Sequence, residues 1–128
     1  MRINDFDGSF ETDDVEAVIE RIRNKRRDKY GAFHLCANEE YPYVALHVNG
    51  DVAYLHYFPS DGHPGFQSTL VDGNAVDADI HFLNLDGTEA GAFDMPRSTL
   101  ISLDDAITAV REFARDGQLP PSIAWFEL

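Results

Sequence analysis

Two runs of strand-forming residues, YVALHV and DVAYLHYF, meet at Asn49-Gly50, and no other stretch limits the folds open to this chain so tightly. Asn-Gly is the dipeptide that most readily takes the two positive φ values of a type I′ turn, so the runs are expected to pair as an antiparallel hairpin. Two registers are open. With Asn49 and Gly50 as the loop, Leu46 faces Ala53 and Val44 faces Leu55; with Gly50 and Asp51 as the loop, Leu46 faces Leu55 and Val44 faces Tyr57. Both put Val44, Leu46, Val48, Ala53, Leu55 and Tyr57 on one face, because strand side chains alternate. The opposite face carries Tyr43, His47, Val52, Tyr54, His56 and Phe58. The first face reads as core and the second as an aromatic and histidine surface.

Helical patterns lie toward both ends. TDDVEAVIERIRNKRR spaces Val15, Val18, Ile19 and Ile22 along one helix face, with Thr12 as the expected cap, acids in the first turn and arginines at the end. SLDDAITAVREFARDG predicts a second helix capped by Ser102, apolar along Leu103, Ile107, Val110 and Ala114, and stopped by Gly117. Pro120 and Pro121 then introduce SIAWFEL, a short terminal strand whose Trp125 reads as a core anchor. Further strands are expected near Ala32 to Cys36, Gln67 to Val71, Asp79 to Asn84 and Ala90 to Asp94. The fold class is therefore α+β, a mainly antiparallel sheet flanked by an N-terminal and a C-terminal helix and ending in a short strand. Residues 1–128 contain no repeat or long linker and are expected to form a single domain, large enough for a core without a metal or disulfide staple.

Charge narrows the partners. Ten Lys and Arg against 23 Asp and Glu give a formal charge of −13, which disfavours direct binding to nucleic acid or to an anionic membrane and suits a basic protein partner. The distribution is uneven. Six of the basic residues fall between Arg21 and Lys29, and none occurs from Tyr30 to Pro96. That interval holds Glu39, Glu40, Asp51, Asp61, Asp72, Asp77, Asp79, Asp86, Glu89 and Asp94. Its plain explanation is a solvated surface; its sharper one is a negative face shaped for a cationic partner. The basic cluster complements the C-terminal end of the first helix. No apolar run reaches a membrane span and MRINDFDGSF lacks a signal-type apolar segment, so a cytoplasmic protein is expected.

Catalytic chemistry finds little support. His47, His56, His63, His81 and Asp61 could all ligate a metal, but they form no HxxxH or HExxH pair. DGNAVDAD fails as a calcium loop because Val76 and Asp77 stand where an oxygen donor and a glycine are needed. The single cysteine, Cys36 in HLCAN, lacks a redox or nucleophile motif and reads as a buried structural thiol. No phosphate-binding loop, dinucleotide fingerprint or GxSxG elbow is present. Neither a cofactor nor enzymatic turnover is expected.

The turn SDGHPGFQS is richer. Asp61-Gly62 and Pro64-Gly65 make two tight bends that hold His63 and Phe66 at the sheet rim. At YLHYFPSDGHPGFQS, and again at LPPSIAWFEL with its Pro-x-x-x-x-Trp-x-x-Leu ending, the chain resembles the immunity proteins of bacterial polymorphic toxin systems, immunity family one. The order of an acidic N-terminal segment, helix, strand-rich middle, helix and terminal strand also resembles that family. The resemblance implies a partner, the cognate toxin domain, basic and acting on nucleic acid as a deaminase or nuclease.

Resemblance and composition then point to one mechanism, in which an acidic surface with aromatic anchors occludes the toxin's cationic substrate site. The expected partner-binding residues are Glu39, Glu40, His56, Phe58, Asp61, His63 and Phe66. Two alternatives remain open: an acidic nucleic-acid mimic or regulatory binding module unrelated to toxins, and a small enzyme using the histidines to hold a metal. The gene next door discriminates the first, and metal analysis of the purified protein the second.

Overall fold

The structure, a computed structural model, describes residues 1–37, 39–70 and 78–128. In chain order its elements are β1 (Arg2–Asp5), β2 (Gly8–Glu11), α1 (Val15–Asn24), β3 (Tyr30–Cys36), β4 (Tyr43–Asn49), β5 (Val52–Phe58), β6 (Phe66–Thr69), β7 (Asp79–Phe82), β8 (Phe93–Pro96), β9 (Ile101–Ser102), α2 (Leu103–Asp116) and β10 (Ala124–Glu127). Val71, Asp72, Asp77 and all of the failed calcium loop except Ala78 and Asp79 lie outside the described residues. One antiparallel sheet runs β10-β6-β5-β4-β3-β1-β2, with β9 also paired to β5, and β7 and β8 form a separate two-stranded ribbon. The α+β class is as expected from the sequence.

The central hairpin takes the second register, with Leu46 opposite Leu55, Val44 opposite Tyr57 and Asn49 opposite Val52. Gly50 has a φ of 59°, and of the two loop residues it alone is positive. That is the type II′ pattern, with glycine first, rather than type I′. Asn49 stays in the strand because its side-chain amide donates to the His81 carbonyl at 2.9 Å.

The apolar face of this hairpin is the core. Val44, Leu46, Val48, Ala53, Leu55 and Tyr57 pack with Ile3, Phe33 and Leu35 of the sheet against Val18, Ile19 and Ile22 of α1 and Ala106, Ile107, Ala109, Val110 and Phe113 of α2. Both helices therefore lie on one side of the sheet. The Ser102 side chain caps α2 by accepting from the Asp105 N–H at 3.0 Å, and Gly117 ends it in the left-handed region. In α1 the cap is Asp14 rather than Thr12: Asp14 accepts from the Glu16 N–H, and Thr12 Oγ1 accepts from the Asp14 N–H two residues earlier. The helix stops at Asn24, so Arg26, Arg27 and Lys29 belong to the following loop, where Arg27 and Tyr30 exchange backbone hydrogen bonds around Asp28 at φ 57°.

Three elements differ from expectation. The acidic N-terminal segment forms a hairpin, β1 and β2, that extends the sheet beside β3. Ala90 lies in a 3-10 turn, Glu89–Gly91, and the strand expected there starts at Phe93. The β7–β8 ribbon lies on the second face of the main sheet, where Phe82, Phe93, Ile80 and Met95 pack on Tyr54, Val52 and Leu100.

β5 divides its outer edge between two neighbours, β6 at His56 and Tyr57 and β9 at Val52 and Ala53. Between them the Leu55 N–H donates to Ser68 Oγ at 3.1 Å, and that hydroxyl donates to the Thr99 carbonyl at 2.6 Å. Ser68 is 0% exposed. Ser68→Ala leaves a donor and an acceptor unpaired inside the protein and is expected to cost about 1–3 kcal/mol, read as a lower urea midpoint at constant slope. An unchanged midpoint would contradict this role.

Candidate functional site

Alternation along each strand sends Ala32, His34 and Cys36 of β3, Tyr43, Ala45 and His47 of β4, and Tyr54, His56 and Phe58 of β5 to the side away from the helices. The ribbon covers one end of this face. There His47 is only 5% exposed, its ring edge-on to Phe93, and its Nδ1–H donates to the Leu83 carbonyl at 3.1 Å. Burial pushes the His47 imidazole down to about 4 and the Tyr54 phenol up to about 12. His47 and Tyr54 are thus interior groups, and the surface expected from the hairpin's second face is only half a surface.

The other end is uncovered by any described element, and its rings stack across three strands. His34 and Tyr43 have centroids 5.6 Å apart, Tyr43 and Phe58 4.5 Å, and Phe58 and His56 4.0 Å, with interplanar angles of 28°, 18° and 5°. Tyr41 leans on Tyr43 at 5.3 Å. Each ring is half-buried, which leaves part of every ring open to a partner. The pairs Tyr43 with Phe58 and Cys36 with Tyr43 set one row, and His34, Ala45 and His56 set the next. Through Gln67 the second row continues to Phe126, which is 57% exposed.

Local bonds hold the rings in place. The His56 Nε2–H donates to the Pro64 carbonyl at 2.8 Å, which leaves Nδ1 to accept from the Tyr54 hydroxyl at 3.0 Å. Desolvation keeps both His34 and His56 below the usual imidazole range, so both rings are neutral at pH 7. Gly65 has a φ of 93°, and a Cβ there would collide with the His56 ring and lie 2.7 Å from the Tyr57 carbonyl oxygen. Gly65→Ala is expected to dislodge His56 and loosen the turn, seen as faster amide exchange from Asp61 to Gly65. Exchange at the wild-type rate would show that the fit at Gly65 is not needed.

The seven residues singled out from the sequence divide between two places. His56 and Phe58 stand in the ring row, and exposed Glu40 lines a groove of about 230 Å³ with Arg2, Asn4, His34, Tyr41 and Tyr43. Glu39 and Glu40 also border a neighbouring depression with Glu11 and Asp13. Asp61 is exposed at the tip of its turn. Phe66 pairs with Tyr57, so its side chain lies on the helix side of the sheet, half-buried against the core. His63 stacks on Phe66 at 5.4 Å, accepts from the Gly65 N–H through Nδ1 at 2.8 Å and places Nε2 3.4 Å from the Glu127 carboxylate. The turn therefore wraps the sheet edge. His34, Tyr41 and Phe126 are the face residues that sequence reasoning missed; the β3 alternation signals His34, and with Trp125 turned to the core the β10 alternation signals Phe126.

The remaining polar clusters are engaged internally. Arg21 pairs with buried Asp5 and lies over the Phe10 ring, Lys25 pairs with Asp7, Arg26 donates to the Lys29 and Gly50 carbonyls, and Arg27 lies over Phe6. Arg21, Lys25 and Arg27 thus brace the N-terminal hairpin, while Arg23 lies 3.6 Å from Asp104 at the start of α2. His81 sits between Asp94 at 2.7 Å and Glu89 at 2.8 Å, which raises its imidazole above the usual range. Cys36 is buried and free, as its context suggested. Among the described residues no three His, Cys, Asp or Glu side chains converge as a metal site, and no helix is long and apolar enough to cross a membrane.

The profile of the family described as Immunity protein Imm1 matches residues 11–127. The chain is also 25% identical over 136 aligned residues, covering all of both proteins, to the double-stranded DNA deaminase immunity protein of Burkholderia cenocepacia strain H111.

Proposed function

This chain belongs to the Imm1 family of immunity proteins, and we propose that it neutralises a toxin acting on nucleic acid, a deaminase or a nuclease, by covering that toxin's cationic substrate site without turnover of its own. The reading treats residues 1–128 as one domain that meets its partner in the cytoplasm. The full-length similarity to a DNA deaminase immunity protein supports a deaminase as the partner.

The observation that carries the reading is a patch of half-buried rings within an interval, Tyr30 to Pro96, that has carboxylates and no Lys or Arg. An enzyme that binds a polyanion needs a basic channel, and an acidic surface can enter it where nucleic acid would lie. Aromatic anchors then exclude water and hold the complex. The contact region comprises Glu39, Glu40, His56 and Phe58 on the open face, with Asp61, His63 and Phe66 along the rim. A specific complex of this kind buries about 1,600 Å² in total, and complementary fields can raise association toward ~10⁸ M⁻¹s⁻¹ at low salt.

Binding kinetics with the toxin domain encoded beside this gene test the proposal. Wild-type association is expected to slow as salt rises, and Asp61→Lys and Glu39→Lys are each expected to slow it further and flatten that salt dependence. Unchanged rates for both, together with loss of binding on charge reversal in the Arg21 to Lys29 cluster, would move the partner to the basic end and overturn acidic occlusion.

A further inference from the structure

We infer, resting on the reading above, that the toxin docks a strand of its own along the free edge of β10 and so extends the main sheet by one strand. The incoming strand pairs with the backbone of Trp125 and Glu127, sets an apolar side chain against Phe126 and carries Lys or Arg beside Glu127 and Asp61.

The groups on this edge follow from the strand pairing. β10 is the last strand of the sheet and, among the described residues, pairs with β6 alone. The Leu128 N–H donates to the Gly65 carbonyl at 2.9 Å, so in this antiparallel pair the alternate residues Phe126 and Ala124 also turn their N–H and C=O toward β6. Trp125 and Glu127 turn theirs outward, and no described backbone group bonds to them there. The strand is fixed from the helix side. The Ser122 N–H donates to the Glu112 carboxylate of α2 at 3.1 Å, and Trp125 Nε1–H donates to the Pro120 carbonyl at 2.7 Å. A template already held in place loses little freedom on pairing, which favours affinity.

Apolar exposure is concentrated at the same edge. Phe126 and Leu128 are 57% and 48% exposed, and Leu70, which follows β6, is the other exposed large apolar side chain among the described residues. All three lie at the β10 end of the sheet. The opposite edge is blunted instead: β2 is Gly8, Ser9, Phe10 and Glu11, and its one large apolar ring lies under the Arg21 guanidinium. Charge then selects the occupant of the open edge. Glu127 is exposed, and Asp61 stands in the turn whose Gly65 carbonyl accepts from Leu128. Arg97 lies toward the other end, next to Ser98, whose carbonyl accepts from the Leu70 N–H. A second copy of this chain would bring another charge of −13 to the contact, whereas a cationic strand is drawn to it. In such strand addition the main-chain bonds supply affinity and alternate side chains supply specificity.

Residue-resolved hydrogen exchange of this protein, free and bound to the toxin domain encoded beside its gene, reads the edge directly. In the free protein the Phe126 amide is expected to exchange slowly and the Trp125 and Glu127 amides fast; in the complex those two are expected to slow roughly tenfold or more. Glu127→Pro removes an outward N–H and no bond to β6, so it should keep the wild-type melting temperature while toxin affinity falls roughly tenfold or more. Glu127→Gln keeps that N–H and drops the charge, and is expected to lose less, mainly through slower association. The wild-type exchange result decides the matter even if the proline variant loses stability. If the wild type binds and inhibits while Trp125 and Glu127 exchange at their free rates, edge pairing is wrong and the immunity reading stands. Equal losses in the proline and glutamine variants would make Glu127 a charge contact and overturn the strand as well. Protection of the same two amides in this protein alone, rising with its concentration, would give the edge to a second copy and overturn the toxin strand. A wild-type protein that neither binds nor inhibits would remove the immunity reading, and this inference with it.

Discussion

Phe113→Ala is expected to cost about 3–5 kcal/mol of folding free energy, while Phe126→Ala should change it by less than about 0.5 kcal/mol. The two residues are the same type and lie 13 positions apart in the chain. Phe113 is fully buried on the sheet-facing side of α2, with its ring edge-on to Tyr57 at 6.1 Å. Its removal opens a cavity where both helices and the sheet meet. Phe126 is mostly exposed on the opposite side of the sheet, so its truncation removes little contact within the protein. Urea unfolding measures both. Toxin binding is expected to respond the other way at equal folded concentration, strongly for Phe126 and weakly for Phe113. A large stability loss at Phe126 would mean that the terminal strand belongs to the core more fully than its exposure indicates.

Acidification is expected to remove about 3 kcal/mol of stability through His47 alone. The imidazole has a folded value of about 4 against an ordinary 6.5, so the unfolded chain takes up the proton first. The stabilising contribution is complete above pH 6.5 and is lost as pH falls from there toward 4. His34 and His56, also lowered by burial, act in the same direction. His81 acts oppositely: Asp94 and Glu89 raise it, so its contribution is complete below pH 6.5 and fades as pH rises through its folded value. Melting temperature measured from pH 7 to pH 4 should therefore fall, and His47→Gln, which can still donate to the Leu83 carbonyl, should fall less steeply. A His47→Gln slope equal to that of the wild type would show that this ring does not carry the acid sensitivity.

The hairpin was legible because its sequence states both period and turn. Alternation from Tyr43 to Phe58 separated the core face from the ring face in either register. The choice between registers was not legible, because it rests on the Asn49 amide reaching the His81 carbonyl from a distant strand. The N-terminal hairpin carried an Asp7-Gly8 pair that marks a turn, yet Asn4, Asp5, Gly8 and Ser9 are poor strand formers. It is held instead by pairing with β3, by Ile3 in the core and by Arg21 on Asp5. Phe66 shows the limit of periodicity most clearly. It sits just beyond a turn, and only its pairing with Tyr57 decides which side of the sheet its side chain takes. The ribbon over His47 was illegible for a similar reason, since covering one end of a sheet face is a tertiary contact that neither partner's pattern announces.

The most direct measurement is a titration of the toxin domain's nucleic-acid-modifying activity with this protein at a fixed toxin concentration well above the dissociation constant. A linear fall to zero at one equivalent is expected, with a one-to-one complex recovered intact by gel filtration. Full inactivation by a small fraction of an equivalent would point to catalytic destruction of the toxin, and undiminished activity at excess would mean that this chain is not its inhibitor; either result contradicts the account.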